Sequence, residues 1–449
     1  MKIAVVGGGI SGLGAALALA DQHDVTLYEA EGRVGGHACT VTVPYADGEQ
    51  PVDIGFIVYN ARNYPNLCAL FDHLEVPTKW SDMSFGFSLH GGRMEYACDN
   101  LDKLFAQRWR AFDPRHVAGL SEILRFTKQA PKDLAAGRLS GLSLNDWLDE
   151  RRYSRWFRER FLLPMGGAIW STCVADVLHF PAENFVRFFV NHDLMTGLDP
   201  AQRWRTVDGG SQQYVSRIKA ALGDRIVAGR QAVAVSGIGA AEVGGDSARA
   251  TIRFADGELA QADAVVLACH APQALALLRA GGAPDAEQEA LLAKMRTSAN
   301  RAVLHADPAL MPRRRRVWSS WNFLSEGAAA DHERPAQVSY WMNRLQSIRE
   351  DRLLVVSLNP TVEPDPALVH ADVSWDHPLY DTAAFQTQRM LDGVQGRAGI
   401  WFAGAWLGYG FHEDGLRSGI RVAAALGATP VWARDLGIPL ATPLATAAE

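Results

Sequence analysis

Three glycines near the start of the chain, Gly7, Gly9 and Gly12, have the spacing GxGxxG and stand between an apolar run at residues 2 to 6 and an alanine-rich stretch at 13 to 20. That order, strand then turn then helix, has a defined physical use. The first glycine permits a tight turn, the second lets a pyrophosphate approach the backbone, and the third brings helix against strand. The helix that follows offers unpaired N–H groups and the positive end of its dipole, which hold an anion without a lysine. Ser11 lies in the same turn and is counted among the ligand contacts. Glu29 closes a second apolar strand at 25 to 29, where a carboxylate accepts hydrogen bonds from ribose hydroxyls. A glycine turn alone is weak evidence, but turn, strand and acid together point to a bound dinucleotide. A further glycine pair, Gly237 and Gly239 ahead of Ala240, lacks the third glycine and reads as a hairpin loop.

Two other segments carry groups able to do chemistry. GRVGGH (32 to 37) arrives where a plain dinucleotide-binding domain would start another helix, and it ends in His37. Histidine titrates near neutrality, so His37 can take a proton beside a cofactor; a structural histidine satisfied by backbone explains it equally well. GYGFHEDG (408 to 415) places Tyr409, His412 and Glu413 directly before a C-terminal helix, with Asp414 as the expected N-cap and Gly415 and Leu416 as its first turn. Tyr409, His412 and Glu413 are candidates for substrate positioning or proton removal, against the plainer reading as turn and cap residues. Trp318, Trp321, Tyr340, Trp341 and Asn343 are candidate pocket walls, although aromatic residues at such spacings are more often core.

The elements that must position these groups can be traced along the chain. Residues 61 to 204 are mostly helical in pattern, notably 101 to 130 and 145 to 162. Strands return near 226 to 235, which includes Ala232 and Val233, at 248 to 254, and through ADAVVLACHAP. Residues 276 to 394 mix a helix with strand-like NRAVLHAD, VSYWMN and LLVVSLNP, and residues 399 to 427 read strand, glycine-rich loop, helix. The expected division is a nucleotide-binding domain from 1–60, 205–275 and 395–430, a substrate domain from 61–204 and 276–394, and a fraying tail at 438–449.

Composition bounds the function. Hydrophobic residues are 48% and charged residues 21%, as in a globular protein, and the net charge of −6 gives no reason to expect nucleic acid. The five cysteines form no CxxC pair or zinc-like array and fit a reduced cytoplasm, so no metal is expected. No apolar run approaches the roughly 20 residues that span a bilayer. Lys2, the apolar stretch and Ala18-Leu19-Ala20 imitate a secretory leader, but cleavage there would destroy the glycine turn. Local basic clusters stand apart from the acidic total. RRYSRWFRER (151 to 160) and the run Arg313, Arg314, Arg315, Arg316 are either solvated faces or contacts to anionic lipid at the inner face of the membrane.

GRVGGH resembles the second glycine motif of the flavin amine oxidase and phytoene desaturase superfamily, and the likeness extends through DIGFIVYN (53 to 60), ADAVVLA (262 to 268), WFAG (401 to 404) and GLRSGIRVAAAL (415 to 426). The resemblance implies an α/β fold: a Rossmann-type FAD-binding domain assembled from three chain segments, with an inserted α+β substrate domain, amine oxidase-like. It implies FAD, with Arg33 near the pyrophosphate, Gly35 and Gly36 allowing close approach of the flavin, and Gly404, Asp414, Gly415 and Leu416 where the last helix points at the flavin pyrimidine. Ala232 is counted with these contacts. No cysteine precedes WFAG where covalent relatives attach their flavin, so the FAD is expected to be non-covalent. Amine oxidases usually carry a lysine in the segment matching NRAVLHAD, where this chain has Arg301; His37 stands where relatives often have arginine. NRAVLHAD, MPRRRRVWSSWN, YWMNRLQ and GFHEDGLRSG are similar to a bacterial branch that desaturates methylated unsaturated acyl chains, on phospholipids, toward furan fatty acids. That implies hydride loss from an allylic carbon, proton loss to a base or water, and reoxidation by oxygen. The other readings are an amine or amino-acid oxidase, a carotenoid-type desaturase, and a non-redox lipid carrier of the GDP dissociation inhibitor type.

Overall fold

A computed structural model describes residues 1–192, 194, 204–239, 248–282, 285–326, 336–434 and 437. The expected tail at 438–449 and Ala240 of the second glycine turn lie outside the described residues. The apolar run at the start forms β1 (Lys2–Val6), the centre of a five-stranded parallel sheet. Its neighbours are β2 (Asp24–Glu29) on one side and Ala264–Leu267 on the other; Ile226–Ala228 and Ile400–Phe402 take the edges. A strand buried on both faces needs apolar side chains in both directions, and Val5, Leu27, Val265, Val266 and Phe402 supply them. Three distant chain segments therefore build one sheet, as the resemblance implied.

Helix α1 (Ile10–Leu19) crosses this sheet and packs on the C-terminal helix His412–Ala425. Glycine makes the close crossing possible: a Cβ on Gly419 would lie 2.2 Å from the Ser11 carbonyl oxygen, and one on Gly14 would lie 2.5 Å from Leu416. The N-termini of both helices consequently end up on the same side of the sheet.

A second, seven-stranded sheet has the order Val369–Leu379, Arg296–His305, Val355–Leu358, Gln337–Trp341, Trp321–Leu324, Phe85–Leu89, Met94–Ala97, antiparallel except where Trp321–Leu324 meets Phe85–Leu89. One face of it meets the helices between residues 101 and 191 over an aromatic core that includes Phe87, Tyr96, Phe126, Trp147, Phe157 and Phe185. Helix α2 (Pro65–His73) lies against the C-terminal helix.

The helical stretch expected over 101 to 130 is broken. It comprises α3 (Leu101–Leu104), a 3-10 turn Arg108–Phe112, and α4 (Pro114–Ala135). Pro114 is the cause: it disfavours helical backbone at the residue before it, and Asp113 sits at φ −86°, ψ 104° and caps α4 by accepting from the Arg115 N–H. No helix among the described residues is long and apolar enough to cross a membrane.

Candidate active site

The glycine turn is held from outside by hydrogen bonds. Glu29 accepts the Gly8 N–H at 2.6 Å through one carboxylate oxygen and the Glu31 N–H at 2.9 Å through the other, and the Gly35 N–H donates to the Gly8 carbonyl at 2.8 Å. The GRVGGH segment is thereby laid against the first turn. Gly12 has to be glycine because a Cβ there would sit 1.9 Å from the Gly7 oxygen. Gly9 differs: nothing lies within 4 Å of the position its Cβ would take. That open space borders a cavity of about 1030 Å³.

The cavity joins two environments. At one end are Gly7, Gly9, Ser11, Glu29, Arg33, Gly36, Ala232 and Val233; at the other are Met83, Phe85, Ile169, Trp170, Phe188 and Leu194. His37, Phe56, Trp375, His377, Gly404, Tyr409 and His412 also line it. The first end fits FAD. The opening turn of α1 has no side-chain cap, which leaves its N–H groups for an anion; Gly9 leaves room for a pyrophosphate; Glu29 retains lone pairs for a ribose. Phe411 and His412 at the start of the C-terminal helix also line the cavity, so two positive helix ends face the same space.

Burial holds the cavity histidines toward their neutral form. Burial, followed by the nearby His377 and His270, holds His37 well below the usual histidine range. Its ring centroid is 4.7 Å from Trp375, 5.3 Å from His377 and 6.1 Å from His270, and its Nε2 is buried without a hydrogen-bond partner among the described residues. His412 stacks on Phe56 at 3.9 Å, shares a 3.1 Å hydrogen bond with the Tyr214 hydroxyl, and is pushed down to about 3 by burial. Tyr409 lies against Phe188 and Phe385.

Several expected site residues serve the frame instead. Glu413 does not line the cavity. Its carboxylate accepts the Asn66 and Leu67 N–H groups and the Asn66 side-chain amide, capping α2 from another helix. Asp414 is not the N-cap: the helix begins one turn earlier, and Asp414 reaches back to accept the N–H groups of Tyr409 and Phe411 at 3.0 and 3.1 Å. Gly12, Gly35, Gly415 and Leu416 make packing contacts rather than cavity wall, with Gly415 against Ile10 and Ser11. Of the five aromatic and amide candidates, Trp321 and Tyr340 line the cavity. Trp318 and Trp341 pack on each other beneath Arg315, and Asn343 bonds the backbone of Arg349, Arg352 and Leu354.

Arg301 points away, paired with Glu363 and Asp372 at the surface, and it is its neighbour Ala302 that meets the cavity. His270, Trp375 and His377 are cavity residues that sequence reasoning missed. Signals for them existed: His270 follows the carboxyl end of a parallel strand, where ligands of such sheets bind, and Val369–Leu379 alternates half-buried with exposed positions, which puts Val373, Trp375 and His377 on one face.

The sequence profile of the flavin containing amine oxidoreductases matches residues 10–427. No curated protein matches the chain in sequence. Among solved structures, putrescine oxidase bound to putrescine is 18% identical with a TM-score of 0.65 over 95% of this chain and 99% of that one. Cyclohexylamine oxidase from Brevibacterium oxydans IH-35A is 18% identical (TM-score 0.63; 95% and 98% covered), and a CLA-producing fatty acid isomerase from P. acnes is 14% identical (TM-score 0.62; 93% and 96% covered). At these identities the likeness is one of fold. The chain belongs to the flavin-containing amine oxidoreductase family. It is an FAD-dependent oxidoreductase.

Proposed function

We propose that the enzyme holds FAD non-covalently and removes two hydrogens from a long acyl chain, a methylated unsaturated fatty acyl group on phospholipid, forming a conjugated diene on the way to a furan fatty acid. The observation that carries this reading is a stretch of cavity wall, Met83, Phe85, Ile169, Trp170, Phe188 and Leu194, that is apolar and aromatic, with Ser171 and His192 as its polar neighbours. Such a wall binds a chain by burial, at about 0.8 kcal/mol per methylene, and among the described residues places no carboxylate beside it for an ammonium group. Ala302 in place of a cavity lysine speaks against ordinary amine oxidation.

Desaturation breaks two C–H bonds and forms one C=C bond, and bound FAD supplies the acceptor for the hydrogen that leaves as hydride. The other leaves as a proton. His37 is neutral and its buried Nε2 is without a partner among the described residues, so it can take that proton inside the cavity. Burial, with the Arg33 guanidinium nearby, makes the resulting imidazolium costly, which favours passing the proton on. Phe56 and Tyr214 hold His412 as a neutral, rigid part of the wall, and Asp414 orders the Tyr409–Phe411 backbone opposite.

The test is anaerobic mixing of the FAD-loaded enzyme with phospholipid bearing methylated monounsaturated chains, following absorbance at about 450 nm, where oxidised flavin absorbs. Bleaching with a new conjugated diene is the expected result. No bleaching with this lipid, together with bleaching by small amines, would establish an amine oxidase instead.

A further inference from the structure

We propose that the face formed by α3, the 3-10 turn Arg108–Phe112 and the start of α4 docks on an anionic phospholipid bilayer. Within this short stretch Leu101, Trp109, Phe112 and Val117 are 65%, 58%, 88% and 43% exposed, and Leu124 continues the face one further repeat along α4 at 61%. Single exposed apolar residues are ordinary; five between residues 101 and 124, Trp109 and Phe112 among them, mark a surface that is covered in use.

The Trp109 ring is held outward. The guanidinium of Arg110, itself buried, lies 4.3 Å from its centroid and is anchored by Gln107 and the Arg93 carbonyl. A held indole above exposed Phe and Leu is the composition of a membrane-interface element.

The choice of a bilayer over another occupant rests on charge. Both basic clusters border this face. Val317, next to Arg316, packs with Ala106, which lies between α3 and the 3-10 turn. Trp156, from the first cluster, packs on Gly119 of α4. Part of each cluster is structural: Arg151 is held by buried Asp133, and Arg314 by buried Glu95. Arg108, Arg115, Arg313, Arg315 and Arg316 are exposed, Arg108 in a pair with Asp102. A protein groove would need matching carboxylates at fixed places, whereas an anionic lipid surface meets this scattered set of cations without them.

A chain of ion pairs links α3 to the cavity wall: Lys103 pairs with Asp99, Arg344 reaches both Asp99 and Asp82, and Asp82 is the neighbour of Met83, which lines the cavity.

The inference stands on the surface alone and is tested apart from turnover. The FAD-loaded full-length protein is sedimented with vesicles of phosphatidylglycerol and phosphatidylcholine, neither carrying methylated chains, and with vesicles of phosphatidylcholine only. Binding to the anionic vesicles, weakened by salt, is expected. Trp109→Ala and Phe112→Ala should each lower the partition coefficient about tenfold, from the apolar area lost. Arg316→Glu should lower it by at least about fivefold, one basic contact at the surface being worth that much. Unchanged FAD content and unfolding midpoint show that these variants fold. Failure of the wild type to bind overturns the proposal. So does binding that Trp109→Ala with Phe112→Ala leaves intact, or a wild-type dimer that the double variant makes monomeric, since the face would then cover a second copy. Each of these results leaves the acyl-chain reading to its own flavin-bleaching test.

Discussion

Gly9 and Gly12 belong to the same turn, yet the structure gives them different duties, and the difference can be measured. Gly9 has φ −73°, a value alanine adopts, with empty space where its Cβ would go. Gly9→Ala should therefore fold with an unchanged unfolding midpoint while losing at least about tenfold in FAD affinity by flavin fluorescence, because the methyl takes the place of the pyrophosphate. Gly12→Ala meets backbone at 1.9 Å and should lower the midpoint itself, colour being lost as a consequence. His37→Ala should keep FAD bound and lower turnover by roughly 100-fold or more, the scale of a lost general base; turnover equal to wild type would reduce His37 to a wall residue. His305 offers a test of pH. Its Nδ1 accepts the Asp307 N–H at 3.0 Å, its Nε2 meets the Ser357 hydroxyl at 2.8 Å, and burial holds it down to about 4. A histidine whose folded value lies below its unfolded value of about 6.5 contributes stability above the unfolded value and loses it as pH falls toward the folded one. Unfolding midpoints should therefore drop between about pH 6.5 and pH 4 by an amount set by about 3 kcal/mol from this residue, and His305→Asn should show a shallower drop.

Helix ends show how much of an element its own sequence contains. HEDG was legible as the start of a helix, but which acid caps what was not. Asp414 reaches back to its own first turn, a local arrangement; Glu413 caps α2, whose own N-cap position, Tyr64, supplies no side-chain acceptor. Sequence patterns see the local partner and miss the one 347 positions away. Glu413→Ala should strand the Asn66 and Leu67 N–H groups and cost about 2 kcal/mol by denaturant unfolding. A loss of turnover without that loss of stability would return Glu413 to the chemistry. The break at Pro114 was visible in principle, since Asp-Pro is a helix start, and the apolar periodicity on either side obscured it.

At the scale of the molecule, the three-part parallel sheet was legible because each part carries a glycine motif or a continuous apolar strand. The order of the seven-stranded sheet was not: its strands come from residues 85–97 and 296–379, and nothing local says that Phe85–Leu89 pairs with Trp321–Leu324. The joints between these bodies are polar and equally nonlocal. Buried Asp53 accepts from Thr40, Ser211 and Gln346, so one carboxylate ties three segments together. Because residues from every segment line the cavity, FAD at a hundredfold excess over its Kd should stabilise the whole chain cooperatively by about 2.7 kcal/mol, seen as one shifted transition rather than two.

The pairing of α1 with the C-terminal helix has a consequence in time. The cofactor's anchoring turn is translated well before the helix that completes its cavity, with residues 10 to 19 waiting for 412 to 425. At roughly 5–20 residues per second, the ribosome leaves that turn uncovered for on the order of half a minute. A nascent chain that lacks residues 412 to 425 holds only part of the flavin site, so synthesis of that helix, and not of the glycine turn, starts the clock for cofactor uptake.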